Sequence, residues 1–280
     1  MRRRFRQVDV FTDVPFAGNP VAVVLDGDGL DAAAMQRVAR WTNLSETTFV
    51  LPPTQPGADY RVRIFTPMDE LPFAGHPTLG TCHAWLEAGG EPARSTAVQE
   101  CTAGLVRVSR AGGTLAFAAP PLLRSGSVDA PLVAALAAAV GVDPAAIVEA
   151  AWVDNGPGWV ALLLESVDAV AAARPGALVP GRDDVKIGLV GRYPAPASPA
   201  IEVRAFFPKD GMLAEDPVTG SLNASVAQWL LGRGVLAAPY VASQGGALGR
   251  AGRVRVTQDD EGTIWVGGGT VTVVDGHIDI

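Results

Sequence analysis

Val62-Arg-Ile-Phe-Thr-Pro67 is followed, eight positions on, by Gly75-His76 and a run patterned as an amphipathic helix ending at Trp85. Val203-Arg-Ala-Phe-Phe-Pro208 is followed, twelve positions on, by Gly220-Ser221 and a similar run ending at Trp229. Strand, glycine and helix thus occur twice, roughly 140 residues apart, and a self-match at so long a period is first an architectural signal. The chain reads as two similar halves. Its 280 residues suit two lobes of roughly 100–150 residues each.

Working outward, strands are expected at 5–12 and 20–25 around Pro15-Phe-Ala-Gly-Asn-Pro20, and a helix capped by Asp31 runs to about Arg40. Strands follow at 46–51 and 60–66, then a helix from Pro77 to Gly89-Gly90, then strands at 96–101, 104–109 and 114–118. Pro120-Pro121 marks a boundary, which assigns 1–120 to an N-terminal lobe, completed by a C-terminal strand at about 270–280, and 121–269 to a C-terminal lobe. In the latter the pattern gives a helix at 131–140, strands at 147–153 and 159–164, a Pro/Gly-rich loop over 174–199 and a strand at 201–207. A helix from Ser221 to about Leu231 and strands at 254–257, 263–266 and 270–274 complete the chain. Strand-rich lobes, each with one principal helix, make an α+β architecture.

Apolar residues at 48% and charged ones at 18% supply two cores and argue against disorder. A formal charge of −7 disfavours a nucleic-acid partner, which needs a basic stripe to replace counterions. The basic start, Met1 to Arg6, meets polar residues in Val8–Asp13 that interrupt the apolar block of a signal peptide. The longest apolar segment, Ala130–Val142, falls short of the ~20 residues that span a bilayer. Cys82 and Cys101 form neither a Cys-x-x-Cys pair nor a disulfide framework, so a reducing, cytoplasmic location is expected. His76, His83 and His277 have no partner at ligand spacing, so no metal site is expected.

Three features carry candidate chemistry. Each long helix begins at a glycine, where unpaired N–H groups and the helix dipole suit an anion such as a small carboxylate. Alternatively Gly75 and Gly220 only permit tight turns and Ser221 is an N-cap; the duplication favours a functional reading. Glu46, in Asn43-Leu-Ser-Glu-Thr-Thr-Phe-Val50, enters an apolar strand with no obvious twin in Asp184–Val190. It is either a solvent-facing edge residue or a desolvated carboxylate whose pKa is raised into the range useful for a proton shuttle. Asp216 is otherwise a turn residue before proline, and His76 a structural donor at the helix start.

Phe16-Ala-Gly-Asn-Pro20, Asn43-Leu-Ser-Glu-Thr47, Phe73-Ala-Gly-His-Pro-Thr-Leu-Gly80 and Glu215-Asp-Pro-Val-Thr-Gly-Ser221, in this order, resemble the phenazine-biosynthesis isomerase (PhzF-like) family. The resemblance implies the diaminopimelate epimerase-like fold, two pseudo-symmetric lobes with a β-barrel-like sheet around a central helix in each and an active site between them. It implies Glu46 as acid/base, His76 and Asp216 as polar groups lining the substrate, Gly75, Gly220 and Ser221 as a carboxylate cradle, and Asn19 in support. It also implies a homodimer. Superfamily racemases place a cysteine before each glycine; here Ala74 and Thr219 stand there, which excludes two-thiol chemistry.

The expected activity is a cofactor-independent isomerase moving a proton between carbons of a small carboxylic acid. A non-catalytic carboxylate-binding protein on the same scaffold is the alternative, and a metal-dependent hydrolase a distant third.

Overall fold

A computed structural model describes residues 1–111 and 114–280. In chain order the elements are β1 (Arg2–Val10), β2 (Asn19–Val24), α1 (Ala32–Thr42), β3 (Glu46–Leu51), β4 (Tyr60–Phe65), β5 (Glu70–Leu71), α2 (Gly75–Glu87), β6 (Thr96–Cys101), β7 (Gly104–Ala111) and β8 (Thr114–Ala118). They continue with β9 (Arg124–Ser127), α3 (Ala130–Val140), β10 (Ile147–Asp154), β11 (Trp159–Leu164), α4 (Val167–Ala172), β12 (Lys186–Arg192), β13 (Ile201–Lys209) and β14 (Met212–Asp216). The last are α5 (Gly220–Gly232), β15 (Tyr240–Gln244), β16 (Gly252–Gln258), β17 (Ile264–Gly268) and β18 (Thr270–Asp279). The fold is mixed α+β. No helix among the described residues is long and apolar enough to cross a membrane.

The chain forms two compact units, Met1–Ala118 with Gly267–Ile280, and Ala119–Val266. In the first, β18 pairs antiparallel with β1, β1 with β2, β2 runs parallel to β3, β3 pairs antiparallel with β4 and β4 with β5. β4 also runs parallel to β6, which turns back into β7. The second unit repeats each step: β9 with β10, β10 with β11, β11 parallel to β12, β12 with β13, β13 with β14, β13 parallel to β15, and β15 with β16. The duplication extends to register. Val21 faces Glu46 as Trp159 faces Lys186, and Thr47 faces Phe65 as Ile187 faces Phe206.

The runs ending at Trp85 and Trp229 are not the half-exposed helices that their patterning suggested. In α2 the whole stretch Gly75–Cys82 is buried, and in α5 nearly every residue from Gly220 to Leu230 is. A helix enclosed on all sides needs apolar or small residues all round. α2 packs against β1, β2, β3, β6, β8 and β18, so close to the sheet that a Cβ on Gly80 would lie 2.3 Å from Val21 Cγ1. α1 covers the other side of that sheet, with Met35, Val38 and Ala39 on Val24, Phe49, Leu51 and Phe65. In the second unit α3 and α4 contribute Leu136, Val140 and Val170 to a core with Val160, Leu162, Ile187 and Leu189.

One expectation fails outright. The Pro/Gly-rich segment 174–199 is not a continuous loop, because β12 occupies Lys186–Arg192 within it. Ile187, Gly188, Leu189 and Val190 are buried there between β11 and β13. Prolines at 180, 194, 196 and 199 only frame the strand, and tertiary burial decides its conformation.

Candidate active site

Glu46 opens β3, and His76 is the second residue of α2; Glu46 Oε2 and His76 Nε2 are 3.2 Å apart. The distance suits an ion pair, but burial pushes the His76 pKa from 6.5 down to about 3, against a hydrogen bond to the Pro20 backbone that favours the charged ring. The ring is therefore neutral at physiological pH. Wholly buried Asn19 sets its amide nitrogen 3.4 Å from Nδ1, and since an amide nitrogen only donates, Nδ1 is the acceptor there. A neutral imidazole has a single N–H. With Nδ1 accepting from Asn19, the N–H lies on Nε2, which faces the Glu46 carboxyl group as a donor. The approach of Asn19 is fixed by Asp9, which accepts from the Gly18 N–H at 3.1 Å.

In the second unit, Asp216 ends β14 and its Oδ2 accepts a 2.6 Å hydrogen bond from the Thr219 hydroxyl. Buried Gln244 organises the link between them. Its Oε1 accepts from Thr219 N–H and from Asn223, while its Nε2 donates to Thr219 Oγ1 and to the Asp216 carbonyl. Ser221 Oγ accepts from Trp159 Nε1 at 3.0 Å, and the Ser221 carbonyl accepts from Asn155 Nδ2 at 2.9 Å.

Gly75 and Gly220 are not needed for tight turns. Neither has positive φ, and each is the first residue of its helix; Ser221 is the second residue of α5, and the N-cap position is Thr219. What sets these helices apart is capping. Asp31, Asp129 and Ser166 cap α1, α3 and α4 through side-chain oxygens, whereas Ala74 and Thr219 provide no such bond to α2 and α5. Thr219 has the hydroxyl to do so, but its oxygen accepts from Gln244 Nε2 while its proton goes to Asp216. The first-turn amides of both central helices thus retain donor capacity for an anion, beside residues without a Cβ.

Sequence reading missed a pair of ionic clamps. Arg63 grips Glu70 through bonds of 2.7 and 2.6 Å, and Arg204 grips Glu215 through bonds of 2.9 and 2.7 Å. Each glutamate faces the phenylalanine two residues beyond its arginine, Phe65 or Phe206, and each guanidinium lies over that ring at 5.1 or 5.0 Å. Each glutamate also precedes the helix-start glycine by five positions. Both strands that deliver those glycines are therefore pinned the same way. The recurrence of arginine in the two quoted strings was the available signal; its partner only emerges from strand register.

His83, seven residues beyond His76 on α2, serves a different purpose: its ring nitrogens lie 2.9 and 3.1 Å from the hydroxyls of Thr270 and Thr272 on β18. Cys82 is buried and its thiol is pushed up to about 12 by that burial, so it is inert at neutral pH.

The family described as phenazine biosynthesis-like protein (PhzC-PhzF) matches residues 8–276. Trans-2,3-dihydro-3-hydroxyanthranilate isomerase of Pseudomonas fluorescens is 36% identical over 252 residues, 87% of this chain and 86% of that protein. Antisense-enhancing sequence 1 of Schizosaccharomyces pombe is 57% identical over 106 residues, 38% of this chain and 36% of that protein. Among solved structures, a PhzF-family phenazine biosynthesis protein of Bacillus anthracis aligns over all of both chains with a TM-score of 0.83 at 24% identity. A probable proline racemase of Agrobacterium radiobacter aligns over 99% of this chain and 92% of its own with a TM-score of 0.61 at 13% identity. These two structural likenesses concern the fold, which is of the diaminopimelate epimerase-like type.

Proposed function

Because the chain belongs to the phenazine biosynthesis-like protein family, whose relatives carry isomerase names, it is an isomerase, and we propose that it moves a proton between carbons of a small carboxylic acid with Glu46 as the acid/base. The observation that carries this reading is the 3.2 Å contact of Glu46 with a neutral, buried His76.

In this reading, the first-turn N–H groups at Gly75 and at Gly220 and Ser221 serve as anion donors to the substrate, which orients the carbon to be deprotonated and limits the cost of developing negative charge. Glu46 takes the proton. The Nε2–H of His76 donates to the Glu46 carboxyl group and holds it in position, and Glu46 exchanges its proton with solvent before returning one to a second carbon. Asp216, held by Thr219, lines the substrate, and Asn19 supports the imidazole. The mechanism calls for no cofactor. A cyclic, unsaturated acid suits such a shift, since its π-system spreads the charge between the two carbons; the trans-2,3-dihydro-3-hydroxyanthranilate of the Pseudomonas fluorescens relative's name is the first compound to assay.

Glu46→Gln keeps the size and hydrogen-bonding shape of the side chain and removes the base. Steady-state kinetics on that acid are expected to show kcat lowered by roughly 10²–10⁴-fold, with KM little changed. An unimpaired kcat in Glu46→Gln would remove Glu46 from the chemistry.

A further inference from the structure

We infer that Lys186 is an anion-recognising residue of the second unit, and that it sets the preference of the site for an acid over a neutral analogue. This rests on the reading above that the start of α5 offers anion donors to the substrate.

Lys186 takes, in the second unit, the place that Glu46 takes in the first. The two parallel ladders align Val21 with Glu46 and Trp159 with Lys186, and the next ladders align the following residues, Thr47 and Ile187, with Phe65 and Phe206. Side chains alternate along a strand, so residues two apart share a face. Two positions on from Glu46, the Thr48 hydroxyl accepts from Thr81 of α2; two on from Lys186, a Cβ on Gly188 would lie 2.6 Å from Leu222 of α5. Both charged side chains thus rise from the face covered by the central helix, at the strand end near its start.

In the first unit that direction brings Glu46 to His76, the residue after Gly75. In the second, the residue after Gly220 is Ser221. Lys186 Nζ lies over the Trp159 ring, 5.9 Å from its centroid, and the same indole donates through Nε1 to Ser221 Oγ at 3.0 Å. One aromatic side chain therefore seats both the ammonium group and the serine. Since Ser221 Oγ accepts from the indole, its O–H is directed elsewhere as a donor. Asn155, whose amide nitrogen holds the Ser221 carbonyl, also has a buried Oδ1 that meets no donor among the described residues, an acceptor suited to an amino or hydroxyl group on the ligand.

The exchange of charge between the two equivalent positions has a chemical logic. A carboxylate is required where a proton is removed; at the α5 start, where Asp216 already brings one through Thr219, a positive charge is needed to offset it for an incoming anion. An ammonium group there adds a charge-assisted interaction to the uncapped amides of α5. The ligand class is accordingly a small acid with a polar substituent close to its carboxylate.

The test is calorimetric binding to the full-length protein of 2-aminobenzoate, an unreactive acid, and of 2-aminobenzamide, its neutral isostere. Wild type is expected to prefer the acid. Lys186→Met should weaken acid binding by roughly ten- to a hundredfold and leave amide binding unchanged, and Lys186→Arg should recover most of the loss. Thermal unfolding of Lys186→Met separates this effect from misfolding, because a misfolded variant would lose both ligands. Acid binding unaffected by Lys186→Met, or no acid preference in wild type, overturns the inference. Binding of an unreactive acid needs no proton transfer, so it reads Lys186 whatever the role of Glu46, and turnover by Glu46→Gln tests the Glu46 reading separately.

Discussion

The Nε2 atom of His76 lies 3.2 Å from Glu46 Oε2, and burial keeps the imidazole neutral by pushing its pKa from 6.5 to about 3. The contact has a consequence for stability. In the unfolded chain the ring takes up a proton as pH falls through about 6.5, whereas in the folded protein it does not until about 3. The unfolded state then binds more protons, so the contribution of this residue is full above about 6.5 and is lost as the pH falls, with a slope approaching about 1.4 kcal/mol per pH unit. His83 is shifted the same way, chiefly by burial, so the comparison must be made between variants. Urea unfolding from pH 6.5 to 4.5 should show a flatter pH dependence for His76→Asn than for wild type. Parallel curves would mean that the ring is protonated in the folded protein.

The two arginine–glutamate clamps predict unequal losses from equal substitutions. The side chains of Arg204 and Glu215 are only 6% and 7% exposed, against 27% and 32% for Arg63 and Glu70. Removing one partner of a buried pair strands a charge and costs about 3–5 kcal/mol, while a partly solvated pair contributes about 1 kcal/mol or less. Arg204 also donates to the carbonyls of Val170 and Ala173, which Arg204→Met would leave without that donor. Chemical denaturation should therefore rank Arg204→Met well below Arg63→Met. Equal stabilities for the two would contradict the assignment of the buried clamp.

Thr219 is the N-cap residue of α5, and its hydroxyl is tied to Asp216 Oδ2 at 2.6 Å. Thr219→Val keeps the shape, releases the carboxylate and removes the acceptor of Gln244 Nε2, at a cost of about 1 kcal/mol in each bond. We expect kcat to fall by roughly tenfold while urea unfolding shows a loss of about 2 kcal/mol. Unchanged kcat would show that the orientation of Asp216 is immaterial to turnover.

The duplication was legible because its signal is local. Val62–Pro67 and Val203–Pro208 carry the same alternation, and Gly75 and Gly220 sit at helix starts that a short stretch of chain reveals. Glu46 and His76 were legible as motif members, and their meeting required a strand and a helix to be brought together. The second unit was harder. Lys186 lies in a segment whose neighbouring prolines and glycines read as loop, and its correspondence to Glu46 is set by pairing with Trp159 and by the alignment of Ile187 with Phe206. Glu70 and Glu215 follow their arginines at different spacings, seven and eleven positions, so no single sequence pattern captures both clamps. The turn alternative for Gly75 and Gly220 is set aside by their backbone angles, since a glycine serves a tight turn through positive φ and neither has it.

The central claim is that Glu46 carries the proton from one carbon to another. Turnover of trans-2,3-dihydro-3-hydroxyanthranilate in D₂O, followed by mass spectrometry and proton NMR of the product, tests it most directly. Wild type is expected to yield product with deuterium at the newly protonated carbon, and Glu46→Gln to yield neither product nor labelled substrate. Labelled product formed by Glu46→Gln at the wild-type rate would contradict the account.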